Sequence, residues 1–246
     1  MDIFYMIKAI FFDFNGVIID DERLQMAAYQ QVLRDHGIDL TERDYYGALG
    51  MDDRHFVRAA FARGKKSLTD EVLRIILERK TVHHRKLIEN ELPLFPGVIT
   101  LLKVTSRRYS LGLVSMATRD EIEYTLNRAR LRSLFSVIVS AENVNVCKPA
   151  PDCYLRALEQ LNNKRGEVCL LPLLPRECLV IEDSPPGIES GRRAGMRTLG
   201  VTNTVSAEAL RAGGAEVVTA NLADWTVDAV HHVFSEGSHV KDEGGK

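Results

Sequence analysis

Residues 7–20 read IKAIFFDFNGVIID, and the fold turns on how this stretch is parsed. Ala9, Ile10, Phe11 and Phe12 form a short, unbroken apolar run, the pattern of a strand buried on both faces of a parallel sheet. Asp13 stands where that strand should end. In open α/β sheets ligands bind outside the carboxyl ends of the strands, so a carboxylate placed there faces a site rather than the core. Gly16 lets the chain turn sharply just beyond it. Taken alone, an Asp-x-Asn-Gly turn that merely closes a strand accounts for the stretch equally well. The rest of the chain decides between the two readings.

From Asp21 to about Leu92 the pattern is helical. Leu24, Ala27, Ala28, Gln31, Val32 and His36 follow helical spacing, and Gly37 stands at a plausible stop; Phe56, Ala59 and Ala60, then Val72, Ile75, Ile76 and Arg79, predict at least two further helices. A block made only of helices, inserted after a first strand, reads as a small separate bundle lying over the site. Pro96-Gly97 marks the return to the main domain. Strands and helices then alternate: strands over 110–115, 135–140, 178–181 and 197–201, and helices over 119–129, 154–161 and 186–194. Such alternation implies an α/β fold, a Rossmann-like parallel sheet with helices on both faces. The expected organisation is therefore an α/β core from residues 1–20 and 93–246, a helical cap over 21–92, and a disordered tail over 235–246. Residues 166–175, GEVCLLPLLP, fit no clear element and read as an apolar loop packed on the core or on a partner.

Composition narrows the class. With 246 residues, 45% hydrophobic and 27% charged, the chain has the make-up of a globular enzyme-sized protein. A net charge of -2 and scattered basic residues argue against nucleic acid as a partner. The N-terminal apolar stretch carries Asp2 and Lys8 and lacks a small-residue cleavage site, so it reads as sheet rather than as a signal peptide, and no run has the length of a membrane span. Cys147, Cys153, Cys169 and Cys178 contain no C-x-x-C pair, which indicates neither a zinc site nor a disulfide framework and makes the cytoplasm the simplest location. Oligomeric state is not legible.

Polar groups collect at the predicted strand ends: Asp13 with Asn15, Ser115, Lys148 in CKPAPD, and Glu182-Asp183 in VIEDSPPG. A parallel sheet brings its carboxyl ends to one edge, so these groups can converge. Each also has an ordinary explanation. Ser115 suits a helix N-cap, Lys148 an exposed loop charge, and Glu182-Asp183 the capping of the next helix.

In this order and context the motifs resemble those of the haloacid dehalogenase superfamily, and in particular its β-phosphoglucomutase-like phosphatases with a helical cap after the first strand. The likeness runs from Lys8 to about Val233: Asp13-Phe14-Asn15-Gly16-Val17 for the D-x-D-G-[TV] motif, Ser115 for the Ser/Thr motif, Lys148-Pro149 for the Lys motif, and Glu182-Asp183 for the acidic pair. The resemblance implies that Asp13 attacks phosphorus to form an aspartyl phosphate. It also implies that Ser115 and Lys148 neutralise the phosphoryl oxygens, and that Mg2+ is held by Asp13, the main-chain carbonyl of Asn15, Asp183 and Glu182. The implied substrate is a small phosphate ester, contacted by Ser115, Met116, Ala117 and Lys148 from the core and by Gln25, Gly50 and Arg54 from the cap.

Asn15 departs from the pattern. In the family's phosphatases this position is the Asp that protonates the leaving oxygen and then activates water, and an amide cannot exchange that proton. Three accounts stand: a slow or substrate-assisted Mg2+-dependent phosphatase, a phosphate-binding or regulatory protein without useful turnover, and an engineered substitution that traps a complex. Deamidation at Asn15-Gly16 is a further route to a carboxylate. The phosphonoacetaldehyde hydrolases fit less well, because Leu49-Gly50-Met51-Asp52-Asp53 lacks their Schiff-base Lys. β-Phosphoglucomutase itself fits less well because Gln25 replaces its cap His and Asp53 its Arg.

Overall fold

The computed structural model describes residues 6–235. Its strands are β1 (Ala9–Phe12), β2 (Ser110–Val114), β3 (Phe135–Val139), β4 (Cys178–Glu182), β5 (Arg197–Val201) and β6 (Val217–Thr219). All pair in parallel, in the order β3-β2-β1-β4-β5-β6. Ala9 of β1 stands opposite Ser110 on one side and Cys178 on the other, so the first strand is interior to the sheet. Its side chains alternate between two apolar layers as strand geometry requires. Ile10 and Phe12 pack with Leu102, Ile122 and Leu126, and Ala9 and Phe11 with Val114, Tyr154 and Leu158. Gly112 of β2 is small for a packing reason: a β-carbon there would lie 2.5 Å from the Phe11 ring.

The expected helical block consists of α1 (Glu22–Arg34), α2 (Glu42–Tyr46), α3 (Asp53–Arg63) and α4 (Asp70–Ile88). It has its own apolar centre, built from Met26, Tyr29, Val32, Leu33, Phe56, Phe61, Leu73 and Ile76. Thr41, Asp52 and Thr69 each accept a hydrogen bond from the amide three residues on and so start α2, α3 and α4. Gly37, with φ of 64°, sits in the left-handed region that ends α1.

The core helices are α5 (Val98–Thr105), α6 (Arg119–Arg128), α7 (Asp152–Glu167), α8 (Pro185–Arg193), α9 (Ala207–Ala212) and α10 (Val227–Ser235). Strand positions agree with the sequence reading to within a residue, but α5, α9, α10 and β6 go beyond it. Helix α7 also runs to Glu167, through Gly166, where a loop was expected. Of the two expectations for the remaining loop, packing on the core is met. Leu173 is buried in the core and pinned by Asn162, which exchanges hydrogen bonds of 2.7 and 3.0 Å with its backbone. Leu171 is 83% exposed. Of the predicted tail, Ser235 closes α10, and 236–246 lie outside the described residues, as do 1–5 of the N-terminal stretch read as sheet. Among the described residues no helix is long and apolar enough to cross a membrane.

Candidate active site

The strand order reverses between β1 and β4, and ligand crevices open at such a switch point. Asp13 leaves β1 there, its amide donating to the Ile181 carbonyl at 3.0 Å, so the nucleophile candidate stands level with the end of β4. Glu182 and Asp183 follow directly from β4. Gly16 is essential to this approach. Its φ is 74°, and a β-carbon would come within 1.8 Å of Asp183 Oδ2.

Lys148 ties the cluster together. Its Nζ donates to Asp13 Oδ1 at 2.5 Å, to Glu182 Oε1 at 2.6 Å and to the Val114 carbonyl at 3.3 Å. Glu182 is fully engaged. Besides Lys148 it accepts from the Tyr154 hydroxyl at 2.8 Å, the Ser184 hydroxyl at 3.1 Å and the Asp183 amide at 3.2 Å. Ser115 Oγ accepts from the Ala117 amide at 3.0 Å, which holds it over the end of β2 with its own proton left to donate. Met116 and Ala117 line the same cavity.

Burial dominates the electrostatics. It pushes the Asp13 carboxyl up to about 7, with Lys148 opposing and the charge of Glu182 adding. The Asp183 carboxyl is raised as well, by burial first and then by the charges of Glu182 and Asp13. Burial works against charge on Lys148, but Asp13 and Glu182 outweigh it and hold the ammonium protonated. Asp13, Glu182 and Asp183 offer oxygens within 4.8 Å of one another, and Asp183 Oδ2 is buried without a hydrogen-bond partner. Three hard oxygen donors around an orphaned carboxylate atom fit a small divalent cation such as Mg2+. Since Glu182 is already satisfied, Asp13 and Asp183 are the carboxylates available to one.

Asn15 is matched to its surroundings. Its Nδ2 donates to both oxygens of Asp21, at 2.9 and 3.1 Å. Asp21 is fully buried, and it also accepts from Gln25 Nε2 at 3.0 Å and from His84 Nε2 at 2.8 Å. Because a carboxylate only accepts, this network fixes which end of the Asn15 amide points where. It also explains why Asp21, at the start of α1, leaves that helix without a side-chain cap.

The cap closes the cavity, which holds about 100 Å3 and is lined from the cap side by Glu22, Gln25, Tyr45, Gly50 and Lys80 among others. Gln25 and Gly50 thus stand where the sequence expectation put them. Arg54 does not: it is exposed on α3 and outside the lining, while its neighbour Asp53 turns inward to accept from the Tyr29 hydroxyl at 2.6 Å and from Lys80 at 3.1 Å. One residue along a helix is about 100° around its axis, so the two cannot share a face. Sequence reasoning passed over four residues here. Lys80 is buried between Asp53 and Glu121, the latter at 2.9 Å from α6, and Glu22 accepts from the Tyr45 hydroxyl at 2.7 Å. His84 was missed as well. Lys80 and His84 continue the Leu73, Ile76 stripe of α4 at helical spacing, a signal that was present in the sequence.

A family model described as haloacid dehalogenase-like hydrolase matches residues 10–201. The chain belongs to that family. It is an enzyme of the hydrolase class. It is 32% identical over 203 residues to a phosphorylated carbohydrates phosphatase of Thermotoga maritima, covering 81% of this chain and 87% of that protein. It is 25% identical over 204 residues to the pyrophosphatase PpaX of Bacillus mycoides, covering 82% and 87% of the two chains. Among solved structures, β-phosphoglucomutase from Clostridium difficile superposes with a TM-score of 0.80 at 25% identity, over 93% of this chain and 97% of that one. The haloacid dehalogenase-like fold thus accounts for both the sheet and the helices laid over its edge.

Proposed function

We propose that this hydrolase is a Mg2+-dependent phosphatase of small phosphate monoesters in which Asp13 is the nucleophile and Glu22 handles the proton. The observation that carries the reading is Lys148 Nζ, seated 2.5 Å from Asp13 and 2.6 Å from Glu182. A buried ammonium between a strand-end carboxylate and a fully bonded anchor is what a phosphoryl group needs: charge to meet its oxygens, and a cation that opposes the rise burial imposes on the Asp13 carboxyl. The phosphatases among the relatives support the same substrate class.

Asp13, Asp183 and the main-chain carbonyl of Asn15 would hold Mg2+, which when bound neutralises phosphoryl oxygen charge. Ser115 donates to those oxygens and Lys148 pairs with them. An Asp13 oxygen attacks phosphorus; the ester P–O bond breaks and its electron pair leaves with the alcohol oxygen, which takes the proton of the Glu22 carboxyl. In the second step water attacks the aspartyl phosphate, Glu22 accepts the water proton, and Asp13 is released as carboxylate with free phosphate. Glu22 suits this exchange because burial, followed by the charge of Asp21, lifts it to about 7. A group that titrates near neutrality can both give and take a proton. The Asn15 side chain, fixed by Asp21, supplies orientation only.

The Asn15–Asp21 contact also weighs against Asn15 as a trapping substitution or a deamidation site. An Asp at position 15 would set one carboxylate against another buried one.

The test compares an alkyl and an activated aryl phosphate, with Mg2+ and with chelator. In the first turnover, Glu22→Gln is expected to slow alcohol release from the alkyl ester by roughly 10^2 to 10^4 fold and from the aryl ester, whose leaving group needs little protonation, far less. Equal first-turnover losses on both esters, or no loss, would remove Glu22 as the acid for the leaving group. If the unaltered protein hydrolyses neither ester while still binding inorganic phosphate, the non-turnover reading replaces this one.

A further inference from the structure

A second cluster of metal-ligating groups lies across the seam between cap and core, apart from the carboxylates of the site above. Asp52 caps α3, His55 lies in its first turn, and Cys147 immediately precedes Lys148 in the core. Cys147 Sγ is 3.5 Å from His55 Nδ1 and 3.5 Å from Asp52 Oδ2, while His55 Nδ1 is 2.9 Å from Asp52 Oδ1. A tetrahedral zinc site with the usual bond lengths has S···N and S···O edges of about 3.6 and 3.5 Å and an N···O edge of about 3.3 Å. The S···Nδ1 and S···Oδ2 edges are therefore already at the length an ion would impose; the imidazole meets the other carboxylate oxygen, Oδ1, so a rotation of the Asp52 carboxylate would set the third edge. The Asp52 amide donates to the sulfur at 3.4 Å, the kind of outer hydrogen bond that steadies a ligating thiolate. His55 is 57% exposed at its side chain, so an ion can enter and keep a water in the fourth position.

We propose that Asp52, His55 and Cys147 form a binding site for a divalent cation of zinc type, and that the ion staples the cap to the core. The N-cap bond from Asp52 to the His55 amide requires no sulfur, so helix capping alone does not explain why a cysteine of the core meets these two residues. The donor set separates this site from the oxygen-only site beside Asp13, because sulfur and imidazole select Zn2+ or Co2+ over Mg2+. The staple sits where cap and core already touch closely. A β-carbon on Gly50 would fall 2.9 Å from Pro186 and 3.3 Å from Lys148. An ion held here would thus fix the loop that abuts the Lys148 segment.

The test is a Co2+ titration of the full chain, kept reduced, followed by the sulfur-to-cobalt charge-transfer band in the near ultraviolet. We expect one equivalent of Co2+ to give the band, Zn2+ to displace it and a large excess of Mg2+ to leave it unchanged. Cys147→Ser should abolish it. His55→Ala, at an exposed position, should weaken Co2+ binding at least tenfold. Cys169→Ser controls for the one exposed thiol among the described residues and should change nothing. Absence of the band, its survival at full strength in His55→Ala, or its loss in Cys169→Ser would overturn the site. Hydrogen exchange then tests the staple: Zn2+ should slow amides in 49–56 and 144–149 in the unaltered protein but not in His55→Ala. Zn2+ binding with unchanged exchange in those segments would refute the staple.

Discussion

At position 15 the side-chain amide and the Asp21 carboxylate form a matched pair. Nδ2 meets both Asp21 oxygens, and Gln25 and His84 supply the remaining donors. Converting the amide to an acid removes a donor from a fully buried carboxylate and places a second acceptor against it. Leaving such a group unsatisfied costs about 1–3 kcal/mol. Asn15→Asp is therefore expected to lower unfolding free energy by roughly that amount. Combining it with Asp21→Asn, which restores one donor and one acceptor, should recover most of the loss. Urea unfolding of the two variants beside the unaltered protein checks this. A fully stable Asn15→Asp would mean that Asp21 does not depend on the amide.

At the scale of elements, α4 is the strut that ties the cap to the core. Lys80 reaches from it to Asp53 on α3 and Glu121 on α6, and it is 1% exposed. Burial disfavours its charge, and the two carboxylates outweigh that cost and keep it protonated. Arg128 strengthens the same seam, donating to the Ile88 and Glu89 carbonyls at 2.9 and 2.7 Å at the end of α4. Breaking a buried ion pair by removing one partner costs more than the pair contributes, because charge is left stranded. Lys80→Met should accordingly destabilise the protein by about 3–5 kcal/mol, whereas Lys80→Met with Glu121→Gln should cost clearly less. Thermal or urea unfolding of both variants separates the outcomes, and equal losses would show that packing of the lysine stem, not charge, is what matters.

Across the whole molecule, what could be read from the sequence was whatever is local or periodic. The apolar runs of β1 to β5 and the polar residues that follow them, from Asp13 to Asp183, are written in consecutive residues. Helix α5 escaped because VITLLKVT is rich in β-branched residues and short, so strand and helix patterns overlap there. Strand β6 has only three residues, and α7 passes through a glycine that normally argues for a stop. The cap contacts of Lys80, His84 and Cys147 join residues 41, 63 and 95 positions apart, a pairing that no spacing rule expresses. Asn15 shows the same limit most clearly. Its departure from the family pattern was plain in the sequence, but its partner Asp21 could be identified only once the chain had turned back at Gly16.

Whether Asp13 is the nucleophile is tested most directly by trapping the covalent intermediate. The protein is mixed with a small phosphate monoester and Mg2+, quenched with borohydride, which reduces an acyl phosphate to an alcohol, and its peptides are mapped by mass. Asp13 should be reduced to homoserine, not at all in chelator, and, with an activated aryl phosphate whose leaving group needs little protonation, more so in Glu22→Gln, where the aspartyl phosphate should persist. Turnover of the ester with Asp13 unmodified in every sample, or undiminished turnover by Asp13→Asn, would contradict that role.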